Sequence, residues 1–179
     1  MGDPLTRFHP WGEKGLRRSK LAIAIAAFLL SLTAQPALAG APSRDPVPPF
    51  HDLFTAGTVC PFAVAVDGTF QNETATSLAN GTLLISGASF ERITNMTTGK
   101  SVVVNASGPI KITFGDTFLT ARAEGRTIFS FFAGDVGPAV PGLVLTTGLV
   151  IVTQDFETGH ITSFIHPGGT TENLCQTLS

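Results

Sequence analysis

The chain has 179 residues, of which 43% are hydrophobic and 13% are charged, and its formal net charge is −2. This length suits one domain with a core of its own. Such a weakly acidic chain, with scattered lysines and arginines, lacks the electrostatic footprint of a protein that binds nucleic acid or anionic lipid.

Residues 1–39 have the three parts of a secretory signal peptide. A basic start is followed by an apolar run at residues 21–34, and Ala37-Leu38-Ala39 matches the small-x-small cleavage pattern before Gly40. This apolar run is shorter than the ~20 residues that a membrane-spanning helix needs. We therefore predict cleavage after Ala39, a secreted product, and no membrane span after cleavage.

The next segment, residues 40–57, holds four prolines and several charges. This composition indicates a proline-rich linker or extended arm. After this segment the composition changes to short β-branched and Phe-rich runs separated by Gly, Asn and Asp, which is the pattern of strands joined by turns. We predict that residues 58–179 form the folded domain.

Both cysteines, Cys60 and Cys175, lie near the ends of that domain. In an exported protein an isolated pair is most simply a disulfide, and two buried free thiols are the alternative. No His or Cys stands at ligand spacing beside either cysteine, so the sequence predicts no metal site.

The predicted elements are all-β apart from the last segment. Strands are expected at residues 60–66, 83–94, 101–106, 110–114, 117–123, 127–132, 143–147, 149–156 and 161–166, with a bulge at Gly87. Short connections make neighbours antiparallel, and closure into a single antiparallel β-barrel of about eight or nine strands would hide their edges. A β-sandwich is the alternative. A short C-terminal helix is expected after Thr170 or Thr171.

One stretch, TNMTTGKSVVV at residues 94–104, resembles the end of a phosphate-binding loop. The first glycine of that motif is missing, because Thr94 stands in its place. The valines after Ser101 favour a strand over the helix that would hold phosphate. The sequence therefore predicts a hairpin turn closed by Gly99, with no nucleotide and no other cofactor.

Four asparagines begin N-x-[ST] sequons: Asn72, Asn80, Asn95 and Asn105. In a eukaryotic secretory pathway they would be glycosylation candidates on exposed loops. In a bacterium they would reflect only the preference of Asn and Thr for turns, and the sequence leaves this choice open.

No catalytic motif stands out in the folded part. Arg122 and Glu124 share one face of a predicted strand, with Ala121 and Ala123 on the other. If the charged face were interior, the pair could bind a ligand or take part in catalysis; if exterior, it is a solvated ion pair. No G-x-S-x-G surrounds a serine, and His160 and His166 lie too far apart on one strand to share a metal.

The motifs Cys60-Pro61-Phe62, TN-x-x-TGKS, Ser107-Gly108-Pro109, LTTG at residues 145–148 and Leu174-Cys175 resemble a group of small exported β-proteins, mainly actinobacterial and mostly hypothetical. The fold of this group is similar to the small antiparallel barrels of allene oxide cyclase and dirigent proteins. The shared motifs are turns and disulfide ends, so the resemblance implies a fold and transfers no catalytic residue.

Three functions are compatible with the sequence. Residues 40–179 have twelve Phe and neither Tyr nor Trp. These rings fill a core or line a cavity, and the second case predicts a binding module for a small apolar molecule. The alternatives are a barrel isomerase or cyclase with Arg122 and Glu124 in its lumen, and a structural or cell-surface interaction protein.

Overall fold

The structure is a computed structural model that describes residues 43–179. This part of the chain forms twelve strands and one short helix. In chain order these are β1 (Ser43–Pro46), β2 (His51–Phe54), β3 (Val64–Ser77), β4 (Leu83–Asn95), β5 (Ser101–Asn105), β6 (Ile110–Phe114), β7 (Phe118–Ala123), β8 (Arg126–Phe131), β9 (Gly142–Thr147), β10 (Val150–Asp155), β11 (Ile161–Ile165), β12 (Thr171–Asn173) and α1 (Leu174–Thr177). The predicted antiparallel β structure with a short C-terminal helix is confirmed. The predicted signal peptide, residues 1–39, lies outside the described residues.

The larger sheet is built around the long hairpin of β3 and β4. Its strand order is β1-β3-β4-β6-β7-β10-β11. β1 pairs with the end of β3, and β2 pairs with its start. Likewise, β6 pairs with the start of β4, and β5 pairs with its end. The segment predicted as a proline-rich arm thus contributes two short strands along one side of β3. Pro46 lies in β1, at the edge of the sheet, where its missing N–H costs no ladder hydrogen bond.

The smaller sheet has the order β12-β9-β8, and its central strand β9 is covered on both faces. Four consecutive β9 residues, from Leu143 to Thr146, are at most 3% exposed. Phe131 of β8 meets Phe164 of β11 edge-to-face at 5.4 Å between ring centroids. The two sheets therefore enclose a core in which aromatic rings pack on one another.

Closure into a barrel is not confirmed. Within residues 43–179 the larger sheet ends at β1 and β11, and the smaller one at β12 and β8. The edge of β11 is covered in another way. Val136, in the loop before β9, donates its backbone N–H to Ile161 O at 2.8 Å, and Asp135 accepts from Ile161 N at 3.0 Å. This loop pairs with backbone N–H and C=O groups at the edge of β11 that a neighbouring strand would pair with in a closed barrel.

The strand predicted at residues 60–66 is displaced, since β3 begins only at Val64 and runs to Ser77, and the bulge lies elsewhere. β3 runs through Ser77 because the long strand β4 pairs with it along its whole length. The register shifts between Gly68 and Phe70, whereas the predicted bulge at Gly87 is wrong, since Gly87 pairs regularly with Glu73. A Cβ on Gly87 would lie 2.2 Å from Asn72 O, so glycine is there for close strand approach.

A disulfide between Cys60 and Cys175 joins the start of the folded domain to α1, as predicted. The cap of α1 is Asn173 rather than Thr170 or Thr171, because its side-chain oxygen accepts from the backbone N–H groups of Cys175 and Gln176. Among residues 43–179, no helix has the length and apolar character needed to cross a membrane.

The stretch TNMTTGKS is the β4–β5 hairpin turn. Asn95 Oδ1 accepts from the N–H groups of Thr97 at 2.9 Å and Thr98 at 3.2 Å. Gly99 takes a φ of 75° and donates its N–H to Asn95 O. This confirms the turn and explains the glycine, because a left-handed backbone carries no penalty there.

Candidate functional site

Two phenylalanine rings stand together on the outer face of β3 and β4. Phe70 and Phe90 are cross-strand neighbours whose ring centroids lie 6.0 Å apart in an edge-to-face arrangement. They are 51% and 37% exposed. Val103 on β5 is 55% exposed and lies opposite Arg92, two positions along β4 from Phe90. Large apolar side chains that adjoin one another at the surface mark interaction sites more often than isolated ones do.

Polar side chains border this pair on the same face. Asn72 follows Phe70 by two positions along β3, and Asn105 lies directly opposite Phe90 on β5. Within residues 43–179 neither side-chain amide nitrogen donates a hydrogen bond; Asn105 Oδ1 accepts from Ser107 N at 2.8 Å. We call Phe70, Asn72, Phe90, Arg92, Val103 and Asn105 the outer patch.

The inner face of the same strands holds three carboxylates. Asp52, Glu73 and Glu91 belong to β2, β3 and β4. Burial, followed by the nearby charges of Glu73 and Asp52, raises the pKa of Glu91 from 4.5 to about 7. Burial also raises the pKa of Glu73 and of Asp52. Glu91 can therefore hold or release a proton near neutral pH.

A hydrogen-bond chain satisfies the polar groups beside these carboxylates. Gln71 donates to Glu73 Oε2 at 2.7 Å, and Ser89 donates to Gln71 Oε1 at 2.7 Å. Among the described residues, no fully buried side-chain nitrogen or oxygen lacks a hydrogen-bond partner. No group of three or more His, Cys, Asp and Glu in this part of the chain is arranged to hold a metal ion.

Reasoning from the sequence missed these three carboxylates. The signal in β4 was available, because Glu91 stands in phase with Ile85 and Ile93, which point inward. A charge in phase with inward apolar residues indicates a buried ionisable group. Glu73 had no comparable signal, since the segment around it is polar. Asp52 is in phase with Phe50 and Phe54, but the prolines before it indicated an arm and not a strand.

The structure places Arg122 and Glu124 at the surface. The guanidinium donates to Glu124 Oε1 from Nε at 3.0 Å and from Nη2 at 2.8 Å. Both side chains are about half exposed, at 51% and 50%. Ala121 and Ala123 occupy the buried face of β7 instead. This is the solvated arrangement, in which an ion pair contributes little.

The four sequons fall into two groups. Asn72, Asn80 and Asn105 are exposed. Asn95 is only 2% exposed, and its Nδ2 donates to Leu178 O at 3.0 Å in the interior. The amide nitrogen that a glycan would need is therefore occupied in the folded protein at Asn95.

A buried carboxylate and a small cleft lie away from the outer patch. His160 Nδ1 lies 2.9 Å from Asp135 Oδ1, whose side chain is 2% exposed. Asp135 also accepts from the Phe132 and Ile161 N–H groups, so its contacts fix the loop before β9. A cleft of about 220 Å³ lies between Val59 and α1. It is smaller than the roughly 300 Å³ at which sites for drug-sized ligands begin.

A scan against protein-family models found no match. Searches of curated proteins and of solved structures also found none. The resemblance to small exported β-proteins and to allene oxide cyclase or dirigent barrels therefore stays a prediction.

Proposed function

We propose that this protein is an exported, non-enzymatic binding module that contacts its ligand through the outer patch. The observation that carries the proposal is the exposed, edge-to-face pair of Phe70 and Phe90. Rings at the surface lose apolar contact with water when a ligand covers them, and aromatic residues are enriched at such contact surfaces.

The packing of the interior supports a ligand on the surface rather than between the sheets. Phe129 and Phe131 both contact Phe164 edge-to-face, at 5.9 and 5.4 Å between ring centroids. Phe131 is fully buried. These rings fill core volume that a ligand would have to occupy, whereas the outer patch needs no opening of the fold.

Export is supported by the disulfide and by the predicted signal peptide. Disulfides persist outside the reducing cytosol, and Cys60 is bonded to Cys175. Intact mass of the exported product tests this part. We expect a chain that begins at Gly40 and is two hydrogens lighter than its dithiol form. A full-length mass with free thiols would contradict it.

Binding through the outer patch is tested with defined probes. Wild type would be mixed with insoluble cellulose, chitin and peptidoglycan, with phosphatidylcholine vesicles, and with fluorescent fatty-acid and retinoid probes. We expect saturable binding to at least one of them. The double variant Phe70→Ser/Phe90→Ser should lose that binding.

The matched control is Phe156→Ser. Phe156 is 47% exposed and lies directly after β10, which β6 and β7 separate from β4. Its replacement removes the same kind of surface ring and should leave binding unchanged. Binding that is absent for every probe, or that is unaffected by the Phe70/Phe90 double variant, would refute the proposed function.

An isomerase or cyclase activity is the second candidate. It is favoured by the inward position of Glu91 beside Glu73 and Asp52, which would suit acid–base chemistry at neutral pH. The test is a turnover screen of apolar epoxides by mass spectrometry. Any turnover should vanish in Glu91→Gln and persist in Glu124→Gln, because Glu124 belongs to the surface ion pair. Equal turnover in wild type and Glu91→Gln would remove this candidate.

A further inference from the structure

We infer that the ligand of the outer patch is a polysaccharide strand built of neutral pyranose sugars. The inference rests on the proposed binding function and names its ligand class. It is carried by the combination of exposed aromatic rings with two side-chain amides whose nitrogens donate no hydrogen bond within residues 43–179, on one face of one sheet.

The chemistry of a pyranose matches these two kinds of group. Its ring presents C–H bonds on its faces and hydroxyl groups around its rim. Aromatic faces carry partial negative charge and attract C–H groups that lie over them. A side-chain amide offers both donors and an acceptor, as alternating hydroxyl groups require. Phe70 and Phe90 supply the first contact, and Asn72 and Asn105 supply the second.

The register places these groups in one continuous surface. Phe70, Phe90 and Asn105 lie in a row across β3, β4 and β5. Neighbouring strands are about 4.8 Å apart, so the row spans roughly 10 Å, the reach of a short oligosaccharide. Asn72 borders the row and faces Ala88 on β4. Because the Ala88 side chain is small, the surface beside the rings does not protrude there, and an extended sugar chain can lie across it.

The charges on the face favour an uncharged ligand. The Asp67 carboxylate is paired with His51. Arg92, between Asp67 and Val103 in the register, is the one cation among the outer-patch residues. Arg126 lies at its border, where Nε donates to Asn105 O at 2.9 Å. Two arginines cannot neutralise a run of phosphates, which argues against nucleic acid and anionic lipid surfaces. A purely apolar ligand would leave the N–H donors of two amides without partners when it covered them. A neutral sugar polymer meets neither objection.

The experiment titrates the exported, disulfide-bonded protein with hexameric cello-, xylo-, manno-, laminari- and chito-oligosaccharides. Binding is followed by calorimetry and by the NMR signals of the side-chain amides. We expect saturable binding of at least one oligosaccharide, with shifts at Asn72 and Asn105. Phe70→Ala and Asn72→Ala should each weaken it about tenfold. Phe156→Ala and Asn80→Ala should not.

The variants replace exposed side chains, so unchanged circular dichroism and melting temperature are expected and serve as the folding check. If no oligosaccharide binds at millimolar concentration while vesicles or the fatty-acid probe still bind through Phe70 and Phe90, the sugar inference fails and the proposed function stands. Self-association that Phe70→Ala abolishes would assign the patch to a second copy of the chain and overturn the inference. If nothing binds at all, both fail.

Discussion

The side-chain amide of Asn95 donates a hydrogen bond to the carbonyl oxygen of Leu178 at 3.0 Å, within the interior. The same Asn95 also accepts from two N–H groups of the β4–β5 turn. Lys100, in that turn, donates from Nζ to Ser179 O at 2.8 Å. A turn that looked like part of a phosphate site therefore holds the end of the described chain in place.

Replacing Asn95 by Ala should lower the free energy of unfolding by about 2–3 kcal/mol, since the Leu178 carbonyl and two turn N–H groups lose their partner. Chemical denaturation measures this loss. Asn80→Ala is the matched control, because Asn80 makes one comparable turn bond at an exposed position. We expect that control to cost less than about 1 kcal/mol. Equal losses in the two variants would show that burial of Asn95 contributes nothing.

Loss of the disulfide should destabilise the domain by about 2–5 kcal/mol, because it closes a loop between residues 115 apart in the sequence. The double variant Cys60→Ser/Cys175→Ser should unfold at the same denaturant concentration as the reduced wild type. Added reductant should shift the wild type and leave the double variant unchanged. A wild type that reductant does not shift would contradict the role assigned to the bond.

The raised pKa of Glu91 predicts that stability falls as pH rises. The folded state holds a proton on Glu91 up to about pH 7, whereas the unfolded chain releases it near its ordinary value of 4.5. Between these values the folded state binds more protons, so each step up in pH favours unfolding, by about 3 kcal/mol in all. Glu91→Gln should remove this part of the slope and exceed wild-type stability at about pH 8. Melting temperatures measured across that range check the sign; parallel curves for the two proteins would contradict it.

Asp135→Ala should loosen the loop before β9. Asp135 accepts from Phe132 N at 2.7 Å, from Ile161 N at 3.0 Å and from His160 Nδ1 at 2.9 Å. Bonds to a charged group contribute about 1.5–3 kcal/mol each, and partial solvation of the loop will reduce their sum. Amide hydrogen exchange should accelerate around residues 133–141 and at Ile161, with little change in β3. Asp135→Asn keeps one acceptor oxygen, so its exchange rates should fall between those of the wild type and Asp135→Ala.

The surface pair of Arg122 and Glu124 should matter little. Both side chains are about half exposed, at 51% and 50%. Exposed pairs contribute about 0–1 kcal/mol, so Arg122→Gln and Glu124→Gln should each stay within that range in denaturation experiments. A larger loss, or a loss of binding to any probe, would restore these residues as site candidates.

Local patterns were enough for most strands and turns. Alternation and turn residues predicted strands at the places where β4 to β11 lie, and the glycine and valines around Ser101 predicted the hairpin. The second half of β3 is polar and shows no apolar alternation, so local pattern does not predict it as a strand. It is a strand because it pairs with β4. The outer patch could not be predicted, since the bulge that brings Phe70 opposite Phe90 depends on the register between two strands.

What the sequence determined by itself is the class of protein: an antiparallel β domain with a disulfide between its ends, whose charge balance argues against nucleic acid as a ligand. These properties follow from composition, local periodicity and cysteine count, which can be read from the sequence without knowing how distant segments pack. The tertiary structure decided which side of each strand meets the core. It put Arg122 and Glu124 outside, Glu91 inside, and Phe70 beside Phe90 at the surface. A one-residue shift in register exchanges the two faces of a strand, so only the assembled sheets settle which residues can meet a ligand.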